Sequence, residues 1–134
     1  MDEKKVKILM AKPGLEGHWV GLLTVSTALR DAGFEVIYGG NMTPLEIAMT
    51  AVQEDVDIVG LSILSANYML LTSDTLKELR KQGKGDVLVL LGGIIWEEDF
   101  PALKEIGVAE IFTPGTPLQD IVEFVRKQTS ATVS

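Results

Sequence analysis

Cysteine is absent from the 134-residue chain, which excludes disulfides, thiolate metal sites and cysteine nucleophiles. Histidine occurs once, as His18, so a metal site built from several imidazoles is excluded as well. Basic residues are scarce beside acidic ones: 12 Lys and Arg against 19 Asp and Glu leave a formal charge of −7. Such a balance disfavours phosphate-rich and anionic surfaces, so neither nucleic acid nor membrane is expected as a partner. No apolar run approaches the ~18 residues that would span a bilayer, and the first residues form neither an h-region nor a cleavage site. A cytoplasmic location is the expectation. What remains is ordinary globular composition, 46% hydrophobic and 23% charged, which is enough apolar material for a buried core. The length suits one domain over residues 1–134, with a core of about 4–127 and a frayed tail at 128–134.

Five short runs rich in Val, Ile and Leu stand at 6–11, 35–38, 57–61, 86–91 and 109–112. Near-continuous apolarity, rather than alternation, suits parallel strands covered on both faces. Helical patterns lie between them. Leu45, Ala48, Met49 and Val52 share one face at helical spacing, and so do Leu118, Ile121, Val122 and Val125. Thr43 before Pro44 reads as an N-cap followed by proline at the first helical position, and Thr116 before Pro117 repeats the pattern. Gly33, Gly83 and Gly107 stand where helices should stop. The chain thus alternates strand and helix five times. This predicts an α/β fold of three layers (α/β/α), a flavodoxin-like, Rossmann-like doubly wound five-stranded parallel sheet in the order 2-1-3-4-5. Ligands of such sheets sit beyond the carboxyl ends of the strands. The segments of interest are therefore 13–20, 39–42, 62–69, 92–98 and 113–116.

The first of these belongs to a loop, Lys12 to Gly21, that is long, holds three glycines and contains the one histidine. A neutral imidazole is a good transition-metal ligand, and the Glu16 carboxylate two residues earlier can accept its other N–H. Glu-x-His-x-x-Gly alone is a weak pattern, equally served by a histidine satisfied within its own loop. Ser62 stands directly at a strand end, Gly92 and Gly93 permit close backbone approach, and Thr113 to Thr116 form a Pro-Gly turn with two hydroxyls. Each has a bland reading as a cap or a turn. Their recurrence at successive strand ends of one sheet points to a binding edge.

Together these residues resemble the cobalamin-binding domain of the adenosylcobalamin-dependent acyl-CoA mutases, as found in methylmalonyl-CoA mutase and in separate small subunits such as that of 2-hydroxyisobutyryl-CoA mutase. The likeness covers about 4–127 and includes 6–15, 28–38, 53–57, 92–95 and 107–116 in register. The resemblance implies a cofactor, adenosylcobalamin, held with its own base displaced and His18 as the lower axial cobalt ligand. Glu16, Gly17 and Gly21 would belong to the same loop motif. Ser62 and Leu64 would line a slot for the nucleotide tail, Gly92 and Gly93 would let it pass, and Phe112, Gly115 and Thr116 would close the far side. It also implies a large TIM-barrel subunit that binds the acyl-CoA. The chain alone would not be catalytic, serving as the small subunit of a carbon-skeleton isomerase.

Some positions depart from the family pattern. Glu16 replaces the signature aspartate, Trp19 and Val20 replace charged or polar residues, and Trp96 stands where proline is usual. Trp19, Tyr68 and Trp96 form a candidate contact face for the partner, since aromatic residues anchor interfaces. Two alternatives stay open at this point: a corrinoid carrier for methyl transfer, and a divergent scaffold that no longer binds cobalamin in the family manner. A phosphoacceptor receiver domain is excluded because Lys12, Pro13 and Ser62 occupy its acidic positions, and a dinucleotide site lacks its glycine fingerprint.

Overall fold

A computed structural model describes residues 6–13 and 20–133. Strands β1 (Lys7–Pro13), β2 (Glu35–Met42), β3 (Ile58–Ser62), β4 (Leu88–Gly92) and β5 (Val108–Phe112) alternate with helices α1 (Val20–Asp31), α2 (Pro44–Glu54), α3 (Tyr68–Lys81), α4 (Phe100–Ile106) and α5 (Leu118–Val133), and a 3-10 turn at Glu97–Asp99 leads into α4. All pairings are parallel and the order is β2-β1-β3-β4-β5, as the alternating pattern predicts. Side chains leave β1 alternately to two faces. Leu9 and Ala11 join a core with Ile47, Leu79 and Leu103 under α2, α3 and α4. Ile8 and Met10 join Leu29, Val122 and Val125 under α1 and α5. Each of the larger side chains among them (Leu, Ile, Val and Met) contributes about 1.5–3 kcal/mol on burial.

Local signals stop and start the helices largely where the sequence places them. Gly33, Gly83 and Gly107 each follow a helix end with φ of +103°, +82° and +127°, a region open to glycine and strained for other residues. Thr43 makes a capping box: its hydroxyl accepts from the Glu46 N–H at 3.1 Å while its own N–H donates to Glu46 Oε1 at 2.8 Å.

Three expectations are corrected. Thr116 does not repeat this cap; its hydroxyl donates to the Thr113 carbonyl at 2.7 Å, and α5 begins only after Pro117. Residues 39–42, expected as a loop, belong to β2: Gly39 bulges out between the pairs Met10↔Tyr38 and Ala11↔Gly40, and pairing with β1 then resumes to Met42. Finally, α2 turns Ile47, Ala48 and Ala51 to the core and leaves Leu45, Met49 and Val52 more than two-fifths exposed. Two small alanines let the helix lie close to the sheet, which the bulkier stripe does not.

Candidate functional site

Ser62, Gly92 and Phe112 end three neighbouring strands and are register partners, Ser62↔Gly92 and Gly92↔Phe112. They make a single row along the carboxyl edge of the sheet. Behind that row, on the side of α1 and α5, lies a cavity of about 310 Å³. Seven residues singled out from the sequence line it: Ser62, Leu64, Gly92, Gly93, Phe112, Gly115 and Thr116. Three separate stretches of sequence, at 62–64, 92–93 and 112–116, reach the same hollow only because the parallel order brings their strand ends side by side. Gly21 lies in the first turn of α1, while Glu16, Gly17 and His18, like Trp19, fall outside the described residues.

The two glycines of the row have different reasons. At Gly93, φ is +148° and an added Cβ would stand 2.0 Å from the Ile63 carbonyl oxygen, so the fold itself demands glycine there. At Gly92 an added Cβ would meet the Phe112 and Leu61 carbonyl oxygens at ordinary distances of 3.6 and 3.8 Å. The protein could accommodate a side chain at Gly92. Its absence serves the open space instead.

The floor comes from residues the sequence reading did not single out, chiefly Met10, Gly60, Leu61 and Leu90, with Leu29 and Ile121 on the helix side. At Gly60 an added Cβ would lie 2.6 Å from Met10 Sδ, so the thioether rests directly on this glycine. A glycine inside an apolar strand run was the available signal. Around the rim, Thr116 closes a Pro114-Gly115 turn with its N–H and hydroxyl both on the Thr113 carbonyl, and Gly115 has φ +93°. Phe112 is braced edge-on by Phe124, with centroids 5.8 Å apart. Among the described residues, the polar side chains of the lining are the hydroxyls of Ser62, Thr113 and Thr116, and none is charged. Such a slot takes a ligand with an apolar end and a polar stem. Among the described residues no group of three or more metal-ligating side chains occurs.

The expected aromatic face divides. Trp96 is 68% exposed and its neighbour Ile94 is 65% exposed, but Tyr68 is only 4% exposed and packs in the core, so it presents no contact surface. Its hydroxyl donates to the Asp99 carboxylate in a short hydrogen bond and accepts the Trp96 N–H at 3.3 Å. That bond to Asp99, with burial, raises the phenol above its ordinary range, so it stays a proton donor at neutral pH. Lys12, fully buried near the end of β1, lies beside Tyr38, Gly40 and Asn41 in a second hollow of about 280 Å³.

A family described as "B12 binding domain" matches residues 6–122. The 2-hydroxyisobutanoyl-CoA mutase small subunit of Aquincola tertiaricarbonis is 42% identical over 98% of this chain and 97% of its own length. The methylmalonyl-CoA mutase large subunit of Propionibacterium freudenreichii subsp. shermanii is 40% identical over 94% of this chain, which spans only 18% of that protein. Among solved structures, a cobalamin-binding protein from Desulfitobacterium hafniense DCB-2 superposes with a TM-score of 0.76 at 26% identity, over 92% of this chain and 59% of that one. The receiver domain of NarL from Mycobacterium tuberculosis superposes at 0.72 with 15% identity, over 96% of this chain and 98% of that one, which is a likeness of fold alone.

Proposed function

This chain belongs to the B12-binding domain family, and we propose that it is the cobalamin-carrying small subunit of an adenosylcobalamin-dependent acyl-CoA mutase, working in the cytoplasm. The observation that carries the reading is the row Ser62, Gly92, Phe112 opening onto an apolar slot, in a chain that aligns with the whole of a mutase small subunit.

The residues suit the group. His18 would hold the cobalt through one ring nitrogen, and Glu16 would accept the other ring N–H and orient it. Gly17 and Gly21 would give the cofactor room to approach. The displaced base and nucleotide tail would lie in the slot, over Met10 and Gly60 and past Gly92, with Ser62 and Thr116 offering hydroxyls to the stem. Bound adenosylcobalamin would supply the radical chemistry of carbon-skeleton isomerisation. The part of this chain is to bind, orient and keep water from the slot. Among the described lining residues none is an acid or a base suited to acyl-CoA chemistry. In this reading the substrate belongs to a separate large subunit, a TIM barrel, and the chain alone turns over no acyl-CoA.

Titration of the purified chain with adenosylcobalamin, followed by absorbance, tests the cofactor. Reduction to cob(II)alamin in protein labelled with nitrogen-15 histidine tests the ligand. The expected result is saturable uptake, a cobalt superhyperfine pattern that changes with the label, and loss of that pattern in His18→Ala. A pattern indifferent to the label would assign the axial position to the cofactor's own base or to water. Turnover of 2-hydroxyisobutyryl-CoA or methylmalonyl-CoA by this chain without a large subunit would refute the division of labour.

A further inference from the structure

Two chain segments form the lip of the slot, one leaving β3 at 63–67 and one leaving β4 at 93–96. Next to the sheet they meet backbone to backbone: the Ile63 N–H donates to the Gly92 carbonyl at 2.9 Å, and the missing Cβ of Gly93 makes room for the Ile63 carbonyl oxygen. Away from the sheet they are joined again, through Tyr68 at the start of α3. Its hydroxyl receives the Trp96 N–H and donates to Asp99. Asp99 occupies the N-cap position of α4, where an aspartate ordinarily accepts from the first N–H groups of its own helix. Its side chain makes no cap bond and is engaged by Tyr68 instead. Departures from a local rule of this kind gather where a fold serves a site.

We propose that Tyr68 is a positioning residue that locks the two loops into one rigid lip, holding Leu64, Gly92 and Gly93 in the arrangement that receives cobalamin. The inference rests on the cofactor reading above and adds a residue that does not itself line the slot. Its physical basis is preorganisation: a lip ordered beforehand costs less to order on binding. Tyr68 directly follows the loop from β3, and its hydroxyl grips the segment after β4 at two points, accepting from Trp96 and donating to Asp99, so its removal releases both contacts at once. Trp96 is exposed and Asp99 partly so, and both can turn to water; the phenyl ring of Tyr68→Phe still fills the core, and the chain stays folded.

The test compares the full chain with Tyr68→Phe, Asp99→Asn, Asp99→Ala and the double variant Tyr68→Phe/Asp99→Ala. Three quantities are read: adenosylcobalamin affinity by absorbance titration, exchange of the Trp96 amide by NMR, and the denaturation midpoint. Tyr68→Phe should exchange the Trp96 amide about 10-fold faster and bind cobalamin about 10-fold more weakly, the scale of one lost hydrogen bond to a charged group. Asp99→Asn keeps an acceptor and should stay within about threefold of wild type, whereas Asp99→Ala should match Tyr68→Phe and the double variant should add no further loss. A Tyr68→Phe protein of lowered midpoint that binds cobalamin as tightly as wild type would make Tyr68 a purely structural residue and overturn the proposal alone. A wild-type chain that takes up no cobalamin would overturn the cofactor reading and this inference with it.

Discussion

Where α2, α3 and α4 cover the sheet, Ile47, Ala48, Leu79 and Leu103 are fully or almost fully buried, whereas the face under α1 and α5 is filled only as far as Met10 and Leu90 before it opens into the slot. The same strands serve both faces, and alternation along β1 sends Leu9 one way and Met10 the other. The difference teaches how one sheet divides its labour. The closed face supplies a buried core, and the stability from it lets the other face keep a hollow of about 310 Å³.

The comparison breaks most visibly at the point where the two loops touch. Gly93→Ala should cost about 4 kcal/mol or more, since strained backbone and overpacking combine against a carbonyl that cannot yield; urea unfolding measures it, and a loss below about 1 kcal/mol would mean the loops part freely. On the closed face, Leu79→Ala should cost about 2–5 kcal/mol while the folded fraction binds cobalamin unchanged. The counterpart on the open face behaves otherwise. Gly60→Ala pushes the Met10 thioether into the slot, where there is space, so its stability cost should be about 1 kcal/mol and cobalamin affinity should fall about 10-fold or more. Equal stability losses for Leu79→Ala and Gly60→Ala, with affinity untouched in both, would show that the faces do not differ in function. The smallest effect lies far from either: Thr43→Ala removes one side of the capping box and should cost about 1 kcal/mol, with binding unaffected.

Ser62, Gly92 and Phe112 were legible in the sequence because an apolar run ending in a small, hydroxylated or aromatic residue marks a strand end, and parallel sheets bind ligands there. Their place on one edge followed from the expected order, which sets β4 between β3 and β5. The register that pairs Ser62 with Gly92 and Gly92 with Phe112 did not, since it depends on contacts between strands. Met10 and Gly60 were missed for a related reason. Within a continuous apolar run nothing in the residue types says which face each side chain takes, and the slot lies on only one. Tyr68 misled as an exposed aromatic because its partner, Asp99, is 31 residues away in sequence.

The sequence by itself determined what depends on neighbours along the chain: the five strands and five helices, the glycine stops at Gly33, Gly83 and Gly107, and the Thr43 cap. These follow from backbone sterics and from hydrogen bonds within a few residues. Tertiary structure alone decided which side of α2 is buried, since that helix carries apolar residues around much of its circumference and the close fit of Ala48 and Ala51 settles the choice. It also decided that residues 39–42 pair with β1, that the slot has a floor, and that Tyr68 joins two loops. In each of these cases the energy lies in contacts between segments distant in sequence, and no local preference carries information about a partner that only folding supplies.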